Sequence, residues 1–241
     1  MVTVDRPPRI VRTYHPRRGR LSGRHFDALD RLAARYSFAP GDPVDVLEIG
    51  SGMGEATAQM AAADPGRRYL AVEVHTPGVA NLLHLIDEAG LTNLRIAAVD
   101  AIELLRADIP AASLEAVHVF FPDPWPKARH HKRRLIVPER VALLRERLRP
   151  GGLLHCATDD AGYAQAMLET LDADPGLVNR HDGFAPRPAH RPLTKFELRA
   201  VRDGRPAFDL MYERSGPERS GGAATQGRSS SRPRSEAEGS A

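Results

Sequence analysis

The sequence predicts an α/β fold, a mostly parallel sheet with helices on both faces. Three observations lead there. Apolar runs of strand length alternate with longer helical runs through the middle of the chain, glycines and prolines sit at several junctions, and acidic residues recur where strand runs end. Parallel strands need long crossovers, usually helical, and are buried on both faces, so they read as continuous apolar runs.

The elements follow in order. VDVLEIG (44–50) reads as a strand and MGEATAQMAAA (53–63) as a helix. RYLAVEV (68–74) is a second strand. GVANLLHLIDEAG (78–90) places Val79, Leu82, Leu83, Ile86 and Ala89 on one helical face, with Gly90 suited to the left-handed residue after the helix. LRIAAVD (94–100) is a third strand, followed by a short helix around Ala101–Arg106. LEAVHVFFP (114–122) is a fourth strand. A helix over Ile136–Leu148 stops at Pro150-Gly151-Gly152. LLHCATD (153–159) is a fifth strand and DAGYAQAMLETLDA (160–173) a further helix.

The flanks differ in kind. Arg6, Arg9, Arg12, Arg17, Arg18, Arg20 and Arg24 fall in a stretch without an acid, although the net charge is only +3. Residues 1–24 therefore read as a basic arm, 25–214 as the folded domain, and the Ser/Gly/Arg-rich residues 215–241 as a disordered tail with too little apolar surface to offset its ordering entropy. A single cysteine, Cys156, excludes an intrachain disulfide and fits a reducing, cytoplasmic setting. No apolar run approaches a membrane span, and the N-terminus lacks a secretory apolar segment.

In a doubly covered parallel sheet, ligands sit at the carboxyl ends of the strands. Glu48, Glu73, Asp100 and Asp123 all fall there. Gly50-Ser51-Gly52-Met53-Gly54 allows a tight turn against a ligand. Its spacing is G-x-G-x-G, not the G-x-G-x-x-G of a dinucleotide site, which weakens a nicotinamide-dependent oxidoreductase reading. Glu73 is placed to accept both hydroxyls of a ribose, and Asp100, followed by Ala101, to accept from an adenine amino group. Each acid alone reads more plainly as a solvated loop charge or a helix N-cap. Together, behind this glycine loop, they favour a bound adenosine.

LEIGSGMGE, the strand ending at Glu73 and VDA (99–101) resemble the Rossmann-like S-adenosylmethionine-dependent methyltransferases. FFPDPWPKARHHKRRL, from Phe120, narrows the likeness to the tRNA (guanine-N7-)-methyltransferases. ATDDAGYA (157–164), PLTKFELRA (192–200) and RRGRLSGRHFDAL (17–29) resemble further segments of that family in the same order. The resemblance implies a seven-stranded sheet, S-adenosyl-L-methionine as cofactor and tRNA as partner. It implies cofactor contacts from Glu48, Gly50, Gly52, Glu73, Asp100, Ala101 and Asp123. It also implies substrate contacts from Lys127, Asp159 and the segment Thr194, Lys195, Phe196 and Glu197. A monomer is expected, with a homodimer as the alternative.

The chemistry of the basic loop agrees. Guanine N7 carries a lone pair and no proton, so methyl transfer needs positioning and electrostatics rather than an obligatory base. Asp123 is the expected catalytic residue: its carboxylate can accept from the guanine Watson–Crick edge and favour the positive charge that develops on the ring. Pro124 and Pro126 stiffen its loop. Trp125 reads either as a stacking platform or, more plainly, as a buried loop anchor. Arg129, Lys132, Arg133 and Arg134 are expected to contact RNA phosphates, the plainer reading of such a run being a solvated charged face. Thr194 also begins TKFE, a capping-box pattern, so it suits a helix start as well as a substrate contact.

Other residues carry plainer readings. His130, His131, His155 and His181 show no metal-ligand spacing, so no metal is expected, and Cys156 reads as a small core residue. Asp159 and Asp160 would point to opposite faces of a strand. A catalytically silent RNA-binding module on the same fold is the competing reading; it predicts loss of one of the four strand-end acids, and all four are present.

Overall fold

The computed structural model describes residues 13–14 and 21–216, without the side chains of Lys195, Phe196 and Arg199. The expected basic arm, apart from residues 13–14 and 21–24, and the expected tail beyond residue 216 therefore lie outside the described residues, as do the side chains of Lys195 and Phe196.

Seven strands form one sheet: β1 Val46–Ile49, β2 Tyr69–Val72, β3 Leu94–Ala97, β4 Leu114–Phe120, β5 Leu148–Thr158, β6 Leu177–Asn179 and β7 Phe208–Arg214. Their order is β3-β2-β1-β4-β5-β7-β6. Neighbours are parallel except that β7 runs antiparallel to both β5 and β6. The strand order reverses beside β1, between β2 and β4, and that reversal opens the crevice used below.

Every residue of β1 and β2 is buried, as their apolar runs require. Side chains alternate between two cores. Leu47, Leu70, Val117 and Cys156 join helices α4 (Ala101–Ala107), α5 (Pro138–Arg147) and α6 (Ala161–Asp172). Val46, Tyr69, Ala71 and Ala116 join α1 (Gly23–Tyr36), α2 (Glu55–Ala63) and α3 (Thr76–Glu88). On α3 the expected face is buried at Val79, Leu82, Leu83 and Ile86, while Ala89 is the exposed C-cap rather than part of it, and Gly90 is left-handed at φ 62°. Truncating one of these leucines to alanine would cost roughly 2–5 kcal/mol.

Several elements depart from the sequence pattern. The expected strand to residue 122 stops at Phe120, because Phe121 turns left-handed at φ 50°. The basic run forms a 3-10 turn, Ala128–Arg133, and α5 starts only at Pro138, a residue suited to a first helical turn. β5 begins at Leu148, with a register irregularity opposite Leu114–Ala116. Helix α7 (Lys195–Arg202) follows Thr194, whose Oγ1 accepts from Glu197 N at 3.0 Å. None of the described helices is long and apolar enough to cross a membrane.

Candidate active site

The site is built on the glycine turn after β1. Gly50, Gly52 and Gly54 all take positive φ (79°, 59° and 83°), a conformation side chains resist. Helix α3 abuts this turn: a Cβ on Gly78 would stand 2.1 Å from Gly52 O, so residue 78 must be glycine for the two segments to meet.

Glu73 locks the arrangement. Its Oε2 accepts from Gly52 N at 2.7 Å, and its Oε1 from Val74 N at 2.7 Å and His75 N at 2.8 Å. A carboxylate has about four lone-pair sites, so three backbone bonds leave room for about one hydroxyl, not the two expected of it without rearrangement.

A cleft of about 240 Å³ opens here, lined by Gly50, Gly52, Glu73, Ala101 and Asp123, with Thr13 and Tyr14 from the N-terminal segment. Phe120, Phe121 and Pro122 also line it. It falls just below the ordinary range of small-molecule sites, ~300–1,000 Å³. Ser51 Oγ is buried in the same turn without a hydrogen-bond partner among the described residues.

Two expected cofactor residues sit differently. Glu48 does not line the cleft; it is buried on the α1–α3 face of the sheet. Burial pushes its carboxyl up to about 7, and the charge of Glu73 adds to the rise. Thr57 beside it offsets only part of this, and its Oγ1, like Glu48 Oε2, has no partner at hydrogen-bonding distance. Asp100 caps α4, accepting through Oδ1 from Ile102 N (2.8 Å) and Glu103 N (3.4 Å), which leaves its second oxygen outside the cap.

Asp123 lies half-buried in the cleft wall, between two left-handed non-glycine residues, Phe121 (φ 50°) and Trp125 (φ 46°). Each such residue costs of order ~1 kcal/mol or more, which persists only where the surroundings enforce it. The surroundings here are specific. Phe121 N donates to Ala157 O at 2.7 Å. Trp125 is 2% exposed and is an anchor, its Nε1 donating to Thr13 O at 3.2 Å.

The basic residues divide into two groups. Lys127, Arg129 and Lys132 are exposed. Arg133 and Arg134 fold back: the Arg133 guanidinium lies 4.8 Å from the Trp125 ring centre, and the Arg134 guanidinium 4.7 Å from that of Tyr163. Arg134 Nε also donates to Pro124 O at 2.8 Å. Both stabilise the loop itself, a use the charge run alone did not reveal.

The expected substrate residues on the far side are also engaged. Asp159 pairs with Arg205, and Asp160 caps α6 through Tyr163 N at 2.7 Å. Glu197 is 2% exposed, and both its oxygens are held by Arg191, at 2.6 and 2.9 Å. That corrects the reading of Glu197 as an open acceptor for a base edge. Arg191 spans onward to Asp209 at 2.7 and 2.8 Å, and Asp209 meets His155 Nε2 at 2.7 Å. Against the upward pull of burial, bonds from His155 and Arg191 hold the Asp209 carboxyl below its ordinary value. The Arg191 guanidinium lies 5.5 Å from the Phe121 ring centre, so this buried network backs the Asp123 loop. Sequence reasoning missed Arg191 and Asp209, which no local motif marks.

A seven-stranded sheet with one reversed strand, a glycine turn after its first strand and an acid at the end of its second describes a methyltransferase. A family model described as "Putative methyltransferase" matches residues 42–210. The fold alone is shared with the 16S rRNA methyltransferase KamB, with TM-score 0.52 and 16% identity over 83% of this chain and 97% of that one. Closer relatives specify the family. A tRNA (guanine-N(7)-)-methyltransferase of Aromatoleum aromaticum is 51% identical over 86% of this chain and 85% of its own length. One of Bordetella pertussis is 50% identical over 85% of each. The chain belongs to the tRNA (guanine-N(7)-)-methyltransferase family.

Proposed function

We propose that this chain methylates N7 of a guanine in the variable loop of tRNA, using S-adenosyl-L-methionine. The observation that carries the reading is the placement of Asp123. It stands on a loop held by two left-handed residues, in the wall of the cleft that Glu73 also lines, and the exposed Lys127, Arg129 and Lys132 follow it directly.

The cleft suits a nucleoside group: a glycine turn that admits close approach, one acceptor direction left on Glu73, and the unpartnered Ser51 hydroxyl. When bound, S-adenosylmethionine supplies an electrophilic methyl on a sulfonium. Glu73, Gly50, Gly52 and Ala101 would hold it, with Asp100 bracing α4 below and Glu48 buried beneath the turn. Asp123 would hold the guanine edge and favour the growing positive charge on the ring. No group need remove a proton, because N7 carries none. Lys127, Arg129 and Lys132 would engage phosphates, a role that residues 1–24 would extend as an RNA-facing arm. Thr194 and Asp159 would act at the substrate side, and Glu197 through Arg191. The tRNA substrate and the single buried thiol support a cytoplasmic setting, and a monomer is the proposed state.

The test is methyl transfer from labelled S-adenosylmethionine to unmodified bulk tRNA, followed by digestion. Label in 7-methylguanosine from the variable loop supports the reading. Tight tRNA binding without transfer would favour a silent RNA-binding module instead.

A further inference from the structure

Beside the cleft, three histidines converge from separate parts of the chain. His118 on β4 and His155 on β5 are register partners and share a face of the sheet. His190 reaches them from the segment before α7. Their ligand nitrogens all lie within 4.8 Å of one another.

We propose that His118, His155 and His190 bind one divalent transition-metal ion of the zinc class. The donor set suits it, since neutral imidazoles are common ligands for such ions. A tetrahedral centre with metal–nitrogen bonds of ~2.0–2.1 Å spaces its donors roughly 3.3–3.4 Å apart. His155 Nδ1 and His190 Nε2 already stand 3.2 Å apart. The widest pair must close by at most about 1.5 Å, and His190, exposed on a connecting segment, is the residue able to move.

Two further observations point to a ligand. His118 is 4% exposed, and its Nδ1 has no hydrogen-bond partner among the described residues, an orphan that metal coordination would satisfy. His155 Nε2 contacts Asp209 Oδ1 at 2.7 Å. A carboxylate so placed fixes the ring proton on Nε2 and turns the Nδ1 lone pair toward the cluster, the arrangement that supports metal-bound histidines. Binding needs no oxidant and no net proton release: His190 moves its proton from Nε2 to the other ring nitrogen. Arg191 opposes a cation, but its charge is outweighed by the two carboxylates it holds, Glu197 and Asp209. Bound metal would tie the segment that carries Arg191 to the strand that leads into the Asp123 loop.

The test uses untagged full-length protein stripped with a chelator and titrated with Co²⁺, then Zn²⁺. The expected result is one equivalent of Co²⁺ with tetrahedral visible bands, displaced by Zn²⁺, and a Zn²⁺-dependent rise in Tm. His190→Ala, at an exposed position that leaves the fold intact, should lose the bands and at least roughly tenfold in affinity. It should also lose the Tm response. Undiminished binding by His190→Ala, or no stoichiometric binding by the parent protein, overturns the proposal.

Discussion

The indole of Trp125 donates its one N–H to the carbonyl oxygen of Thr13, 112 residues earlier in the chain. Thr13 and Tyr14 line the cleft, so this bond couples the loop that carries Asp123 to the N-terminal segment. Trp125→Phe keeps a buried aromatic ring and removes the donor. A hydrogen bond of this kind contributes about 0.5–1.5 kcal/mol, so affinity for S-adenosylmethionine should fall roughly two- to tenfold. Calorimetric titration with the cofactor would measure it, and unchanged affinity would mean that the N-terminal segment does not help to form the cleft.

Gly78→Ala should be far more damaging to the cleft than to the fold. The added methyl would meet Gly52 O at 2.1 Å, and the obstacle is backbone rather than a flexible side chain. The glycine turn must shift and release its bond to Glu73. Cofactor affinity should fall at least about tenfold, the loss of one charge-assisted bond being ~1.5–3 kcal/mol. Circular dichroism should remain that of the parent. Normal cofactor binding by this variant would show that the turn is not the cofactor contact.

Much of this architecture was legible in sequence because burial on both sheet faces leaves uninterrupted apolar runs. LEIG and the Val79–Ile86 face are such signals. The edge was harder. β6 has three residues, and β7 carries Asp209 where a strand pattern expects an apolar side chain. That aspartate is explained only by Arg191 and His155, which reach it from elsewhere in the chain. Helix α1 had a readable signal, with Ala28, Leu32 and Tyr36 buried four residues apart, but it precedes the alternating strand and helix runs and no element was assigned there. The strand-end acids were legible, and the helix N-cap among their readings is what Asp100 forms; the turn lock of Glu73 and the buried carboxyl of Glu48 depend on partners that the chain brings together only on folding.

Asp123→Asn tests the catalytic assignment directly. The amide keeps the shape and loses the negative charge that would favour a developing cation. By analogy with removal of a single preorganised electrostatic group, kcat should fall ~10²–10³-fold. Cofactor affinity should change little. Single-turnover transfer to tRNA, beside cofactor titration, separates the two. Parent-like kcat would remove Asp123 from the chemistry.

The two halves of the basic run should behave differently. Neutralising exposed Arg129 and Lys132 together should weaken tRNA binding and lower the slope of log affinity against log salt by about 1.5–2, one counterion fraction per lost phosphate contact. Arg134→Ala should instead lower Tm, because it removes the bond to Pro124 O and the packing on Tyr163. If Arg129 and Lys132 leave the salt slope unmoved, the RNA surface lies elsewhere on the protein.

Glu48 predicts a pH dependence of stability with a definite sign. Its carboxyl is raised from 4.5 to about 7 by burial, so the folded protein holds this proton more tightly than the unfolded chain does. The stabilisation is complete below the unfolded value and disappears as pH rises toward 7. At ~1.4 kcal/mol per pH unit the loss across that window is of order 3 kcal/mol. Glu48→Gln retains the shape of the protonated acid but cannot ionise. The cofactor-free variant should match the parent near about pH 5 and exceed its stability near about pH 8, by up to that order. Urea unfolding at both values, without cofactor, measures the difference. An equal stability gap at both would place the Glu48 carboxyl in its ordinary range and reopen how the buried acid beneath the glycine turn is accommodated.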